Sequence, residues 1–343
     1  MGNVSDNRGG AGRAVLVGVL VLLGLGIVGS GVWFVLGTGA GPDQASALDT
    51  GKPEESAASA IEAALAAART YSSNEEYGKA SAVLRAAVEE HADDQALRLA
   101  YAETLLAQHE TAKAYEQYEA ALAIGPQDAS IEFAAGTLAT EIGKDDRALE
   151  HFSMARAADP GSAEIALFLG VTQQRLGQTG DAKANLLAAL ELDETNPVAP
   201  AALAQIALDE NQLSLAGRYI ARARQADPEQ LAYRILEARI LNRVGKPEQA
   251  VTLLRALPED QLFQPMVLEL VAASYGLLRQ PAEAAALYRR ACDREPAEAE
   301  YPFQAALWYE RSGDVDSARD FAKRAAMLGH PQGRALVERL ENK

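Results

Sequence analysis

Three things are scarce in this sequence of 343 residues: cysteine, aromatic residues and an excess of positive charge. Cys292 is the single cysteine, so neither an intramolecular disulfide nor a metal site made of paired CxxC motifs can form. Aromatic residues make up 6% of the chain, which favours closely packed helices over a β-sandwich, whose strands prefer aromatic and β-branched residues. The net charge of −16 argues against nucleic-acid binding, which depends on Lys and Arg neutralising phosphates.

Motifs that carry catalysis or bind metals are also missing from the sequence. The four histidines never recur at i,i+3 or i,i+4 spacing, and they form no HExxH motif. Three of them fall at predicted helix ends or turns, where a solvated side chain is expected. There is no phosphate-binding glycine loop, no nucleophile elbow and no dinucleotide-binding motif that follows a strand. We therefore predict no catalytic residue, no metal site, no cofactor and no enzymatic activity.

One long apolar run is present near the start. Residues 14–36 read AVLVGVLVLLGLGIVGSGVWFVL, 23 residues without a charge. About 20 apolar residues cross the hydrocarbon core of a bilayer, so this run predicts a transmembrane helix. The alternative is a cleaved signal peptide, since residues 45–47 read Ala-Ser-Ala; this pattern lies further from the apolar run than cleavage sites usually do.

The flanks of the run predict its orientation. Arg8 and Arg13 precede it, and the next basic residue is Lys52. The positive-inside rule then places residues 1–13 in the cytoplasm and the rest of the chain across the membrane. Residues 37–60 are rich in Gly, Ala, Ser and Pro without apolar periodicity, which predicts a flexible linker.

An internal repeat of 34 residues covers residues 61–332 without insertion or deletion. Position 20 of every repeat is alanine, and position 8 is always alanine or glycine. Position 15 is glycine in four repeats, and position 32 is proline in four. The repeats begin at Ile61, Gln95, Ala129, Ala163, Pro197, Leu231, Pro265 and Ala299.

This combination of small residues resembles the tetratricopeptide repeat, and the resemblance covers about 80% of the chain. It implies an all-α fold: an α-solenoid in which eight helix hairpins form a right-handed superhelix. Small residues at positions 8 and 20 let helix A and helix B of each hairpin approach closely, and glycine at position 15 supplies the left-handed residue that ends helix A. Residues 333–343 then form a helix that caps the last repeat, with Leu336, Val337 and Leu340 on one face.

The resemblance also implies where partners bind, because proteins of this family usually hold ligands in a concave groove lined by A helices. The apolar residues at the groove positions suit an amphipathic helix or an extended apolar segment of a partner protein or peptide. The alternative is that neighbouring repeats cover them. The candidates are Leu99, Phe133, Leu167, Val171, Ile235 and Phe303.

Arginines form a second candidate set at the groove. Arg175 and Arg243 occupy position 13, and Arg239 precedes Arg243 by four residues on the same helical face. They are suited to receive a carboxylate; the alternative is a face that is solvated or paired within the protein. The repeats that bind acidic C-termini of heat-shock chaperones have Lys at position 5 and Asn at position 9, and this chain has neither.

These features together predict a scaffold that recruits other proteins in the bacterial cell envelope. It is anchored in the lipid bilayer of the inner membrane through residues 14–36, with the repeats outside the cytoplasm and no role in nucleic-acid binding. The alternative is an ancillary factor of the translocon or a chaperone-type factor that binds unfolded or newly exported clients.

Overall fold

The computed structural model describes residues 53–126 and 128–342, and every regular element in these ranges is helical. The predicted cytoplasmic segment 1–13 and the predicted membrane helix 14–36 lie outside the described residues. Within the part that is described, no helix combines the length and the apolar character that crossing a membrane requires.

The chain forms two compact units, the first ending at Glu194 and the second beginning at Thr195. Consecutive helices within the first unit pack on one another as four pairs. Its helices are α1 (Pro53–Ser73), α2 (Tyr77–Glu90), α3 (Gln95–Ala107), α4 (Thr111–Leu122), α5 (Ala129–Glu141), α6 (Asp145–Ala158), α7 (Ala163–Arg175) and α8 (Thr179–Leu192).

The second unit contains four further pairs, a one-turn helix and a terminal helix. Its helices are α9 (Val198–Asp209), α10 (Leu213–Ala226), α11 (Leu231–Arg243), α12 (Pro247–Arg255), α13 (Glu259–Leu262), α14 (Pro265–Leu277), α15 (Pro281–Arg294), α16 (Glu300–Ser312), α17 (Val315–Met327) and α18 (Gly333–Glu341).

Short polar residues begin several of the A helices where the 34-residue period places them. The side chains of Asp94, Asp128 and Ser162 each accept a hydrogen bond from a backbone N–H in the first turn of α3, α5 and α7. An N-cap of this kind satisfies one of the four N–H groups that lack a partner inside the helix. The local sequence therefore fixes where these helices start.

Helix α1 begins at Pro53, so the flexible linker predicted for residues 37–60 is wrong from residue 53 onward. Residues 57–60 read Ala-Ala-Ser-Ala, and alanine has the highest intrinsic helix propensity. Proline is also well suited to the first position of a helix, because its missing N–H has no partner there in any case.

The small residues at positions 8 and 20 are both buried, but the close approach found at position 8 is to position 24 of helix B and not to position 20. All eight alanines at position 20, from Ala80 to Ala318, are fully buried. At position 8, a Cβ added to Gly170 of α7 would lie 2.8 Å from Cγ of Leu186 and 3.1 Å from its backbone nitrogen, both in α8. Only a small residue fits at such a crossing.

Position 15 of every repeat adopts the left-handed conformation that ends helix A. Four of these residues are the predicted glycines, with φ between 75° and 85°. The other four are not glycine and have φ between 57° and 60°: Glu75, His109, Asn211 and Arg279.

Helix α12 stops after nine residues, earlier than the other B helices. Pro258 follows it with φ −52° and ψ 149°, an extended conformation that no helix can continue through. The one-turn helix α13 then takes the place of the missing turn, with Leu262 and Phe263 buried in the core of the second unit. At the end of the chain, α18 covers the last repeat with Leu336 and Leu340.

Candidate interaction surfaces

The predicted apolar groove residues are mostly not available to a partner. Leu167 and Val171 in the first unit expose 6% and 9% of their surface, and Ile235 and Phe303 in the second expose 7% and 8%. Leu99 is partly buried against the apolar core of the first unit. The alternative interpretation, that neighbouring repeats cover these positions, is the one that the burial supports.

Phe133 shows how neighbouring side chains cover a groove position. Its ring centroid lies 5.6 Å from that of Phe152 in the same repeat and 5.1 Å from that of Phe168 in the next, and the latter pair is edge to face. Pairs of this geometry contribute about 0.5–1.5 kcal/mol beyond the area they bury. Phe133 is therefore half-buried and packs against the core of the first unit, and its role as a partner contact stays a prediction.

Phe303 is covered in a different way. The ring of His330 stacks on it with centroids 3.9 Å apart and an angle of 14° between the planes. Nε2 of the same histidine lies 3.1 Å from a carboxylate oxygen of Glu300. This histidine, predicted to be a solvated turn residue, packs against the protein instead.

The three predicted arginines differ in their partners. Nη2 of Arg175 lies 2.7 Å from a carboxylate oxygen of Asp145, so it is paired within the protein and cannot readily accept a partner's carboxylate. Arg239 donates to the amide oxygen of Gln205 at 3.0 Å, and Arg243 donates to that of Asn211 at 2.9 Å. Among the described residues, the hydrogen bonds of these last two guanidinium groups go to neutral amide oxygens.

Burial is the main influence on Arg239. It lowers the pKa of the guanidinium, Arg243 lowers it further, and the carboxylate of Asp209 opposes both. An arginine stays charged under all such conditions, so the consequence is energetic. Arg239 is partly removed from water, hydrogen-bonds to a neutral amide and interacts with the Asp209 carboxylate, and a further carboxylate that approached it would add a charge-assisted hydrogen bond.

A polar network that sequence reasoning missed lies in the first unit, between α4, α5 and α6. Nδ1 of His151 lies 2.7 Å from the carboxylate of Glu132, and its Nε2 lies 2.5 Å from that of Glu119. Glu132 is 2% exposed and His151 5%. Carboxylates only accept, so both contacts are satisfied when the imidazole carries both of its protons.

Glu119 accepts several further hydrogen bonds in this network. Its two oxygens accept from Nη2 of Arg147 at 2.9 and 2.7 Å, and the Tyr115 hydroxyl donates to it at 2.8 Å. Burial alone would raise the pKa of Glu119, but hydrogen bonds from Arg147, Tyr115 and His151 outweigh it and leave the pKa below 4.5. No regular spacing in the sequence marks the five residues of this network, because each comes from a different repeat position.

The described residues contain no group of three or more His, Cys, Asp or Glu side chains arranged to hold a metal ion. Cys292 is fully buried, and burial raises the pKa of its thiol to about 11. A thiol in this state is a small apolar core group, because the thiolate is the reactive species.

Two family profiles match the chain. The one described as Tetratricopeptide repeat matches residues 65–129, and the one described as Psidin, N-terminal TPR repeats region, matches residues 206–326. No curated protein sequence matches.

Solved structures with the same fold include a tetratricopeptide repeat protein from Parabacteroides merdae ATCC 43184. It is 15% identical with a TM-score of 0.51, over 83% of this chain and 100% of that one. PilF of Pseudomonas aeruginosa is 19% identical with a TM-score of 0.51, over 64% of this chain and 99% of that one. These likenesses concern the fold; the two profiles mark tetratricopeptide repeats over residues 65–129 and 206–326, so the chain is a tetratricopeptide repeat protein.

Proposed function

We propose that this protein is a scaffold that holds other proteins through its repeats, anchored by residues 14–36 in the inner membrane of a bacterial cell. The fold supports a protein-binding role, since stacked helix hairpins present extended surfaces and the described residues hold no metal-binding cluster. The anchor rests on the 23 uncharged residues of that run.

The observation that carries the proposal is the pair Arg239 and Arg243 on helix α11. Both occupy groove positions of the repeat, and both contact neutral amide oxygens and no carboxylate in the described part of the chain. A partner segment with acidic side chains would pair with these guanidinium groups by bidentate hydrogen bonds. Leu277, at a groove position of the next repeat, is 58% exposed and offers an apolar contact on the next A helix.

The alternative function, a translocon or chaperone-type factor for unfolded clients, needs an open apolar groove. Four of the six apolar candidates are less than 10% exposed, and two lie partly buried against the core of the first unit. This burial favours the scaffold, because a folded partner with an acidic segment does not require a continuous apolar track.

A photo-crosslinking residue placed at Leu277 in intact cells tests the proposal. We expect one defined protein to be captured, and we expect Arg239→Ala with Arg243→Ala to abolish its capture. The matched control is Arg218→Ala, which removes an exposed arginine from helix α10. Capture that survives the double substitution, or that is equal when the crosslinker is placed at Arg218, would contradict the proposed surface.

A further inference from the structure

An open cavity of about 670 Å³ lies in the second unit, where the end of α12, the turn between α14 and α15, and the end of α16 meet. Its walls are mainly polar and charged. The lining residues are Arg255, Tyr275, Arg279, Gln280, Pro281, Ala282, Glu283, Arg311 and Ser312.

Three guanidinium groups line this cavity, and within the described residues none of them is paired with a carboxylate. Arg255 donates from Nη1 to the Tyr275 hydroxyl at 2.9 Å. The guanidinium carbon of Arg311 lies 4.4 Å from the centroid of the Trp308 ring. Glu283 is the one acidic residue among the lining residues, so three positive charges face one negative charge.

Arg279 stands at the repeat position where four other repeats have a left-handed glycine, and it adopts the same conformation with φ 57°. This backbone is unfavourable for a residue with a Cβ. Its side chain lines the cavity and makes no hydrogen bond or ion pair within the described residues. The first turn of α15 follows directly; it begins with Pro281 and contributes the acidic Glu283 to the lining.

The geometry points to a binding site for a cluster of carboxylates on a partner polypeptide, and this inference rests on the proposed protein-binding function. Guanidinium groups pair with carboxylates through two parallel hydrogen bonds, and three of them accommodate neighbouring acidic side chains. The cavity is open and lacks the enclosing apolar walls of a small-molecule site, which suits a chain that passes through it. It lies at the turn side of the repeats and shares no lining residue with the pair Arg239 and Arg243.

The test is a titration of the full-length chain in detergent micelles with fluorescein-labelled hexaglutamate, followed by fluorescence anisotropy at low salt. Hexaglutamine is the uncharged control peptide. The cavity variant is Arg279→Gly with Arg311→Gln, in which the glycine also relieves the left-handed backbone, so loss of folding is not expected from that change. Arg218→Ala and the double substitution Arg239→Ala with Arg243→Ala complete the set.

We expect the cavity variant to bind hexaglutamate at least tenfold more weakly than the parent, and Arg218→Ala to bind as the parent does. Equal affinity in parent and cavity variant overturns the inference, as does a parent that does not bind. If only the Arg239 and Arg243 variant loses binding, the cavity inference fails while the proposed function stands. If inorganic phosphate binds the parent in preference to hexaglutamate, the site is a phosphate site and the polypeptide assignment is wrong.

Discussion

The residue that ends helix A carries the same backbone conformation in every repeat, although its side chain varies. Four repeats have glycine there, and four have Glu75, His109, Asn211 or Arg279 in the left-handed region. For a residue with a Cβ this conformation costs about 1–2 kcal/mol. At Glu75 and Arg279, whose side chains do not favour this region, the stacking of the hairpins therefore imposes the turn.

His109→Gly is expected to stabilise the protein. The imidazole is exposed and contributes no hydrogen bond, so the substitution relieves the backbone without removing a contact. We expect the free energy of unfolding to rise by about 1 kcal/mol. Urea denaturation followed by circular dichroism measures it. Gly143→Ala is the control: a Cβ there meets nothing within 4 Å, so the expected loss comes from the backbone alone. A midpoint that falls in His109→Gly would contradict this account.

The pKa of Glu119 predicts how the stability of the protein depends on pH. Its pKa is lowered in the folded protein, below the ordinary value of 4.5, after burial is outweighed by hydrogen bonds from Arg147, Tyr115 and His151. A lowered pKa means that the unfolded state binds the proton more tightly, so this contribution is complete above about pH 4.5 and is lost as the pH falls further. The free energy of unfolding of Glu119→Gln should therefore fall less steeply than that of the parent below pH 4.5. If the free energy of unfolding falls with pH equally steeply in both proteins, Glu119 does not account for the acid dependence.

At the scale of the helix pair, the close crossing of α7 and α8 gives a matched comparison of two glycines. We expect Gly170→Ala to destabilise the protein by about 1–3 kcal/mol, because the new methyl group would overlap Leu186, including its backbone nitrogen. Gly180 lies in α8, and a Cβ there meets nothing within 4 Å. Gly180→Ala should stabilise the helix by about 0.5–1 kcal/mol. Thermal unfolding of both variants measures these changes. An unchanged melting temperature in Gly170→Ala would refute the tight crossing.

The polar network between α4, α5 and α6 predicts a non-additive response. His151→Ala leaves the carboxylate of Glu132 buried without its partner, and such a loss costs about 3–5 kcal/mol. Replacing both residues, as in Glu132→Leu with His151→Leu, removes the buried charge and should cost much less. Chemical denaturation of the single variants Glu132→Leu and His151→Leu and of the double variant gives the coupling. If the double variant is the least stable, the network is worth more than its burial cost.

The 34-residue period made the helix pairs predictable, because the spacing of small and apolar residues along the sequence reports the crossings directly. It did not reveal which groove positions are covered. Phe133 is covered by Phe168 and Phe303 by His330, and neither covering residue recurs at a fixed position in the repeats. The His151 network was not predicted for the same reason. A periodic pattern reports what the repeats share, and this network is made by side chains that occur in single repeats.

Over the whole molecule, charge is distributed unevenly along the chain. Residues 1–194 contain 13 Lys and Arg against 28 Asp and Glu, whereas residues 195–343 contain 19 against 20. An acidic partner is therefore repelled by the first part of the chain and meets a nearly neutral background in the second. Both arginine surfaces, the pair on α11 and the cavity beside α15, lie in this second part.

The last prediction concerns orientation in the membrane. Arg8 and Arg13 precede the apolar run of residues 14–36, and no basic residue follows it before Lys52. Positive charges are retained on the cytoplasmic side, so the repeats should lie outside the cytoplasm. Protease added to spheroplasts should digest the repeat domain while a cytoplasmic marker stays intact. Arg8→Glu with Arg13→Glu removes the charge bias and should increase the protected fraction, whereas the conservative pair Arg8→Lys with Arg13→Lys should not. Complete protection of the parent chain, lost only when detergent opens the membrane, would place the repeats inside and reverse the assignment.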